Sequence, residues 1–168
     1  LVGCMTPHQV QLDSRWAVLR EAQAEALHIA NTGMITAVDL GDPYDIHRRN
    51  KQRVGKRLAA LSLGDTYRKG TYHTPVCTGY KVYDRTLALA FDSPVQANAG
   101  EVKGFVLAGP DGVFYPAKAT LQQNGKSVVL ESPQVEIPNA AHYNWADCPN
   151  GNLYSPSGVP VGPFRTDK

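Results

Sequence analysis

The residue types best suited to chemistry fall in one short stretch, Asp39-Leu40-Gly41-Asp42-Pro43-Tyr44-Asp45-Ile46-His47, with three carboxylates and one histidine in nine residues. An imidazole titrates near neutrality, so His47 can serve as a general base, with a nearby carboxylate fixing its tautomer and orientation. Asp45 is the nearest candidate for that second role and Asp42 the next. The same residues also read as a surface turn begun by Asp42-Pro43, with His47 hydrogen-bonded near a helix start, and both readings stay open. A metal centre is the weaker reading, because no second histidine stands at ligand spacing.

The other reactive side chains are less pointed. His28 falls on a helical pattern, and His8, His73 and His142 stand alone, which is expected of structural or exposed groups. No serine sits in Gly-x-Ser-x-Gly or Gly-Asp-Ser, so no nucleophile elbow is visible and the base has no evident nucleophile in this chain. Trp16, Trp145, Tyr143 and Tyr154 can stack on a sugar, but they equally fit core or interdomain packing. Arg48, Arg49, Lys51, Arg53, Lys56 and Arg57 form a run of cations that could hold phosphate or simply line a solvated helix face. No aromatic residues interleave with them as in a single-strand groove, so nucleic acid is not expected as a partner.

Positioning of the turn falls to the elements around it. Asp13 or Ser14 can cap a helix whose apolar stripe is Trp16, Leu19, Ala22, Ala26 and Ala30. Asn31-Thr32-Gly33 ends it, with Gly33 suited to a left-handed cap. Met34 to Leu40 is rich in apolar and β-branched types without clean alternation, which predicts a strand buried on both faces, as in a parallel sheet. After the turn, Asn50 can cap a second helix with Val54, Leu58 and Leu61 inward, stopping near Gly64. The pattern helix, strand, helix predicts α/β organisation over residues 1–70, with the turn at the carboxyl end of the strand, where open α/β sheets bind ligands. One strand alone leaves both its edges unpaired, so another segment of the same protein is expected to complete the sheet.

Residues 71–168 change period. Alternating runs at Tyr80–Tyr83, Thr86–Phe91, Gly104–Ala108, Ala117–Leu121, Ser127–Leu130 and His142–Trp145 are separated by Pro110-Asp111-Gly112, Asn124-Gly125 and Pro149-Asn150-Gly151. This half is expected to be an antiparallel β-sandwich, with Asn124-Gly125 forming a type I′ hairpin turn. The expected boundary lies near Lys69-Gly70.

Composition bounds the rest. The 168 residues carry a net charge of +2, too small to announce a nucleic-acid binder, and no apolar run approaches a membrane span. Three cysteines, Cys4, Cys77 and Cys148, form no Cys-x-x-Cys pair; a Cys77–Cys148 bridge and free thiols are both open. No cofactor is indicated. The start at Leu1 without an initiator Met, and without a signal-peptide pattern, leads us to expect a trimmed or incomplete chain.

Several ordered segments resemble the C-terminal portion of the sialate O-acetylesterase family, sialic-acid-specific 9-O-acetylesterases of SGNH type. They are Trp16 to Gln23, Asn31 to Met34, Asp39 to His47, Asn50-Lys51-Gln52 with Val54-Gly55 and Arg57-Leu58, Tyr143 to Asp147, Asn152-Leu153-Tyr154, and Pro163 to Asp167. The resemblance implies an SGNH α/β domain joined to β-rich domains, and hydrolysis of O-acetyl groups by a Ser–His route. Asp45-Ile46-His47 is similar to the block that supplies the catalytic histidine, so the resemblance implies that His47 is the base. Two residues depart from the pattern: Arg48 stands where the family often has Pro, and Tyr44 where many SGNH enzymes have the Asp. That leaves Asp45 competing with a backbone carbonyl as the orienting group. The family's nucleophilic Ser and oxyanion-hole residues lie in blocks N-terminal to those matched here, so an N-terminal segment or subunit is the implied partner. The implied substrate is an O-acetylated sialic acid or related sugar, and the implied location is periplasmic or secreted. A carbohydrate-binding or assembly module in the β half, and deacetylation of acetylated xylan or another polysaccharide, are the alternatives.

Overall fold

A computed structural model of the chain describes residues 14–42, 45 and 49–167. The first helix, α1, spans Arg15–Glu25; Ser14 caps it by accepting a hydrogen bond from the Ala17 amide at 3.0 Å. A 3₁₀ turn over Ala26–His28 follows, and Asn31, not Gly33, takes the left-handed conformation that ends it, at φ 61°. The short Asn side chain tolerates that region, so the glycine two residues on is not needed for it. The second helix, α2, spans Lys51–Asp65 and is capped as expected by Asn50, whose side chain accepts from the Arg53 amide at 3.2 Å.

The strand expected over Met34 to Leu40 is not formed among the described residues. Residues 32–37 have no regular structure and Val38–Leu40 make a 3₁₀ turn. A strand exists only as a member of a ladder, and no described segment forms a ladder with this run. The predicted inner stripes fare likewise: in α1 only Ala17 is buried, and in α2 only Arg57. Leu19 and Leu58 are 43% and 48% exposed.

Ten short strands make up the rest: β1 Cys77–Tyr83, β2 Thr86–Phe91, β3 Gln96–Ala97, β4 Phe105–Ala108, β5 Phe114–Pro116, β6 Lys118–Leu121, β7 Ser127–Glu131, β8 Ala140–Tyr143, β9 Leu153–Tyr154 and β10 Phe164–Arg165. They form two four-stranded antiparallel sheets, ordered β1-β2-β7-β6 and β10-β8-β4-β5, and a two-stranded piece β3-β9. Alternation sets which side chains face inward. In β2, Leu87, Leu89 and Phe91 point inward, and Leu87 and Leu89 stand opposite Leu130 and Val128 of β7. In the facing sheet, Phe105 and Leu107 of β4 stand opposite Tyr143 and Ala141 of β8. The two inner faces close on one core, the expected sandwich, and each fully buried large side chain contributes about 1.5–3 kcal/mol.

The hairpin turn at Asn124-Gly125 differs from the expected type I′. Only Gly125 has positive φ, at 66°. The Gly125 amide donates to the Gln122 carbonyl at 2.9 Å, and the Asn124 side chain accepts from the Lys126 amide at 2.8 Å. That is an ordinary turn followed by one left-handed glycine, so the hairpin loop is longer than two residues. Pro110-Asp111-Gly112 is built the same way, with Gly112 at φ 70°.

Candidate active-site loop and the clamp that holds it

The 3₁₀ turn over Val38–Leu40 begins the stretch from Asp39 to His47 and leads through Gly41 to Asp42. Asp42 and Asp45 form an isolated antiparallel bridge, and Asp45, about 29% exposed, pairs with Arg49 Nε at 3.6 Å just before α2. His47, Pro43, Tyr44 and Arg48 lie outside the described residues, as do His8 and Cys4. The candidate orienter Asp45 is therefore located on the loop, while its geometry to His47 is not described.

Asp39 turns out to have a different task from the other two carboxylates. Arg57 of α2 donates from its two terminal nitrogens to Asp39 Oδ1 at 2.7 Å and Oδ2 at 2.6 Å, and also to the Thr36 carbonyl at 2.7 Å. Both side chains are buried, at 10% and 9% exposure. The Tyr154 hydroxyl, from β9, donates to Asp39 Oδ2 at 3.3 Å. The hydrogen bond to Asp39 pushes the Arg57 pKa up against the opposing pull of burial. Burial, reinforced by the Asp39 charge, pushes the Tyr154 phenol up. Asp39 is thus committed to a bidentate pair, geometry that only a guanidinium supplies, and is unavailable for proton transfer. The pair ties the start of the loop to α2 beyond its end, and ties both to the sandwich. Of the cations in the run read as solvated or phosphate-binding that the structure describes, Arg57 is the one that the fold buries.

A second cluster fastens α1 to the sandwich. Arg165 of β10 donates from Nε and Nη2 to Glu21 at 3.1 and 3.0 Å, with its guanidinium 5.0 Å from the Trp145 ring centre. Ser14 donates to Asp147, and Arg20 to the Ala146 carbonyl. Beside them His142 is stacked on Phe114 at 3.9 Å and bonded through Nε2 to Asp167 Oδ1 at 2.8 Å. Its Nδ1 is buried without a hydrogen-bond partner among the described residues, and burial pulls its pKa down more than Asp167 raises it. This pairing of a buried His with an exposed Asp has no counterpart in the sequence reading, since its members are 25 residues apart in a half with no motif to flag them.

The remaining candidates resolve plainly. His28 and His73 are exposed and pair with Glu25 at 3.2 Å and Asp92 at 3.0 Å. Tyr143 and Trp145 are buried, Tyr143 within the sandwich core. Cys77 and Cys148 are free thiols, and burial raises the pKa of Cys77. Among the described residues, no three His, Cys, Asp or Glu side chains are placed to hold a metal ion, and no helix is long and apolar enough to cross a membrane. A groove of about 680 Å³ opens between α1, the run 32–37, α2 and the sandwich edge at Thr74–Cys77, and Gly41 at the start of the candidate loop lines it.

Comparison with known proteins gives the following. No family model matches the chain, and no curated protein matches it. Among solved structures it is similar to XAC1771, a carbohydrate acetylesterase from Xanthomonas citri, at 38% identity and a TM-score of 0.87 over 92% of this chain. It is also matched, at 12% identity and TM-scores of 0.46 and 0.45, to two structures of the surface layer protein SbsC, a likeness too remote to carry an argument. The match to the acetylesterase spans 37% of that chain, so this chain shares its fold with somewhat more than a third of it.

Proposed function

We propose that this chain is part of a carbohydrate O-acetylesterase and supplies the general base, His47, while the nucleophilic serine comes from a portion of the polypeptide outside residues 1–168. The observation that carries the reading is the 38% identity, at a TM-score of 0.87, to a structure described as a carbohydrate acetylesterase. The Asp45-Ile46-His47 block and the burial of Asp39 beside it support the placement of the base. In this reading residues 1–70 are the end of an SGNH-like α/β domain and residues 71–168 a β-sandwich domain.

The chemistry follows that of serine esterases. His47 takes the proton of the serine hydroxyl as its oxygen adds to the acetyl carbonyl. The tetrahedral intermediate collapses, the sugar oxygen leaves with the proton from His47, and an acetyl-enzyme remains. His47 then deprotonates water, which adds to the acetyl carbonyl; the bond to the serine oxygen breaks, that oxygen takes the proton back from His47, and acetate departs. Asp45 orients the imidazole. Donors to the oxyanion are supplied by the same outside portion as the serine. The substrate is an O-acetylated sialic acid or a related acetylated sugar, in a periplasmic or secreted setting.

The test is turnover of an aryl acetate by the complete polypeptide. His47→Ala should lower kcat by about 10²–10⁴-fold and Asp45→Ala by less. Undiminished activity in His47→Ala overturns the assignment of the base. A panel of acetylated sialic acid and acetylated xylan decides the substrate.

A further inference from the structure

The run that leads into the candidate loop is held from two sides. On one side Arg57 of α2 grips both oxygens of Asp39 and the Thr36 carbonyl. On the other lies the sandwich. The Tyr154 hydroxyl donates to Asp39 Oδ2 at 3.3 Å across 115 residues of sequence. Gly162 comes so near that a Cβ added there would stand 3.3 Å from Thr36 Oγ1. Ala37 and Leu40, in the same run, are buried. Tyr154 is itself firmly placed: it belongs to β9, stands opposite Gln96 of β3 and forms a further bridge with Pro160. The Leu153 amide beside it donates to the buried Tyr143 hydroxyl at 2.9 Å. Burial and the Asp39 charge keep the Tyr154 phenol protonated, so it stays a donor.

Each Asp39 oxygen already receives a nitrogen of Arg57, so the ion pair is complete without the tyrosine. What the hydroxyl adds is direction: a donor fixed in a sheet locks the carboxylate in one orientation. That carboxylate matters to the loop because the segment leaving Asp39 returns at the cap of α2, Asn50, and the Asp39–Arg57 pair joins its two ends. We propose that Asp39 and Tyr154 are positioning residues for His47: the sandwich fixes the Asp39 carboxylate, and the carboxylate, through Arg57, fixes where the loop carries its imidazole. The inference rests on the proposed function for the role of His47 alone. It makes the β half a working part of the esterase site instead of an appended module. A base displaced by about 1 Å loses about 100-fold in rate, so small shifts of the loop are costly.

Aryl acetate turnover by the complete polypeptide, normalised to folded enzyme and measured well below each variant's melting, tests this. Asp39→Asn keeps the shape but breaks the two-pronged pair, and should lower kcat about 100-fold. Tyr154→Phe should lower it about fivefold, the worth of one hydrogen bond, with KM within about twofold of the wild type in both variants. Because the hydroxyl acts through Asp39, adding Tyr154→Phe to Asp39→Asn should cost nothing further. Ser132→Ala, which removes a hydrogen bond to the Pro116 carbonyl elsewhere in the sandwich, should leave kcat unchanged. Unchanged kcat in Tyr154→Phe, or a loss that Ser132→Ala matches, makes the hydroxyl structural only and overturns the proposal. A raised KM with kcat intact makes it a substrate contact, and a full further loss in the Asp39→Asn background makes it act independently; each overturns the proposal equally. Hydrogen exchange in the same samples gives a readout free of activity. The Leu40 amide, bonded to the Ala37 carbonyl at 3.2 Å, should exchange about fivefold faster in Tyr154→Phe and no faster in Ser132→Ala. If the wild-type polypeptide turns over no aryl acetate, the esterase reading fails, and this exchange alone decides whether Tyr154 holds the loop. Turnover with no change in either readout defeats the positioning role and leaves the esterase reading intact.

Discussion

Replacing Asp39 by Ala strands the Arg57 guanidinium at 10% exposure with the Thr36 carbonyl as its remaining partner. Two charge-assisted hydrogen bonds, at 2.7 and 2.6 Å, are lost. Breaking one side of a buried ion pair costs about 3–5 kcal/mol, because the remaining charge stays desolvated. Against a total stability of about 5–15 kcal/mol that is a large share. With a urea slope of about 2–3 kcal/mol per molar, the unfolding midpoint should fall by about 1–2 M. Trp16 on α1 and Trp145 beside the sandwich allow fluorescence to follow both parts of chain 1–168. Arg57→Ala should cost a similar amount, and the double variant little more than either, giving a coupling of about 2 kcal/mol or more. Lys118–Glu131, at 3.0 Å but with side chains 73% and 50% exposed, is the control, and its loss should cost about 1 kcal/mol or less. Asp39→Ala behaving like that control, or additive single variants, would refute the argument that burial makes this pair a clamp.

Other consequences are narrower. The His142 pKa lies below its ordinary 6.5, mainly through burial, so the folded state resists protonation there while the unfolded state does not. Stability is therefore complete above about pH 6.5 and declines as pH falls below it; Asp167, Arg165 and Glu21 face the ring, and His142→Gln should flatten this decline in thermal melts. A slope unchanged in His142→Gln would place the dependence elsewhere. Gly104 sits at φ 94°, and an added Cβ would lie 2.6 Å from the Gly151 Cα and 2.8 Å from Asn144 Oδ1. Gly104→Ala should therefore lose about 2 kcal/mol or more in denaturant unfolding, whereas Gly112→Ala, with open space around it, should lose less.

Much of the β half was legible because its signal is local. Leu87, Leu89 and Phe91 alternate within one strand, and alternation within a strand is enough to predict it. The short strands β3, β5, β9 and β10, of two or three residues each, carry too few positions to show a period and were not expected. Their pairing is decided by partners across the fold, as in Gln96 opposite Tyr154. The loop with Asp45 and His47 was legible as a cluster of residue types, but type alone did not separate Asp39 from the other carboxylates. Only its 18-residue separation from Arg57, closed by the fold, did so.

The sequence by itself determined the second helix cap, Asn50, narrowed the first to Asp13 or Ser14, and gave the alternating strands and where reactive side chains are dense. Each depends on residues within about four positions, whose geometry the backbone sets locally. Tertiary structure alone decided that Arg57 is buried, that Glu21 meets Arg165 across 144 residues, and that Met34 to Leu40 joins no ladder among the described residues. Burial and strand pairing belong to pairs of distant segments, and a single stretch of sequence contains only one member of each pair.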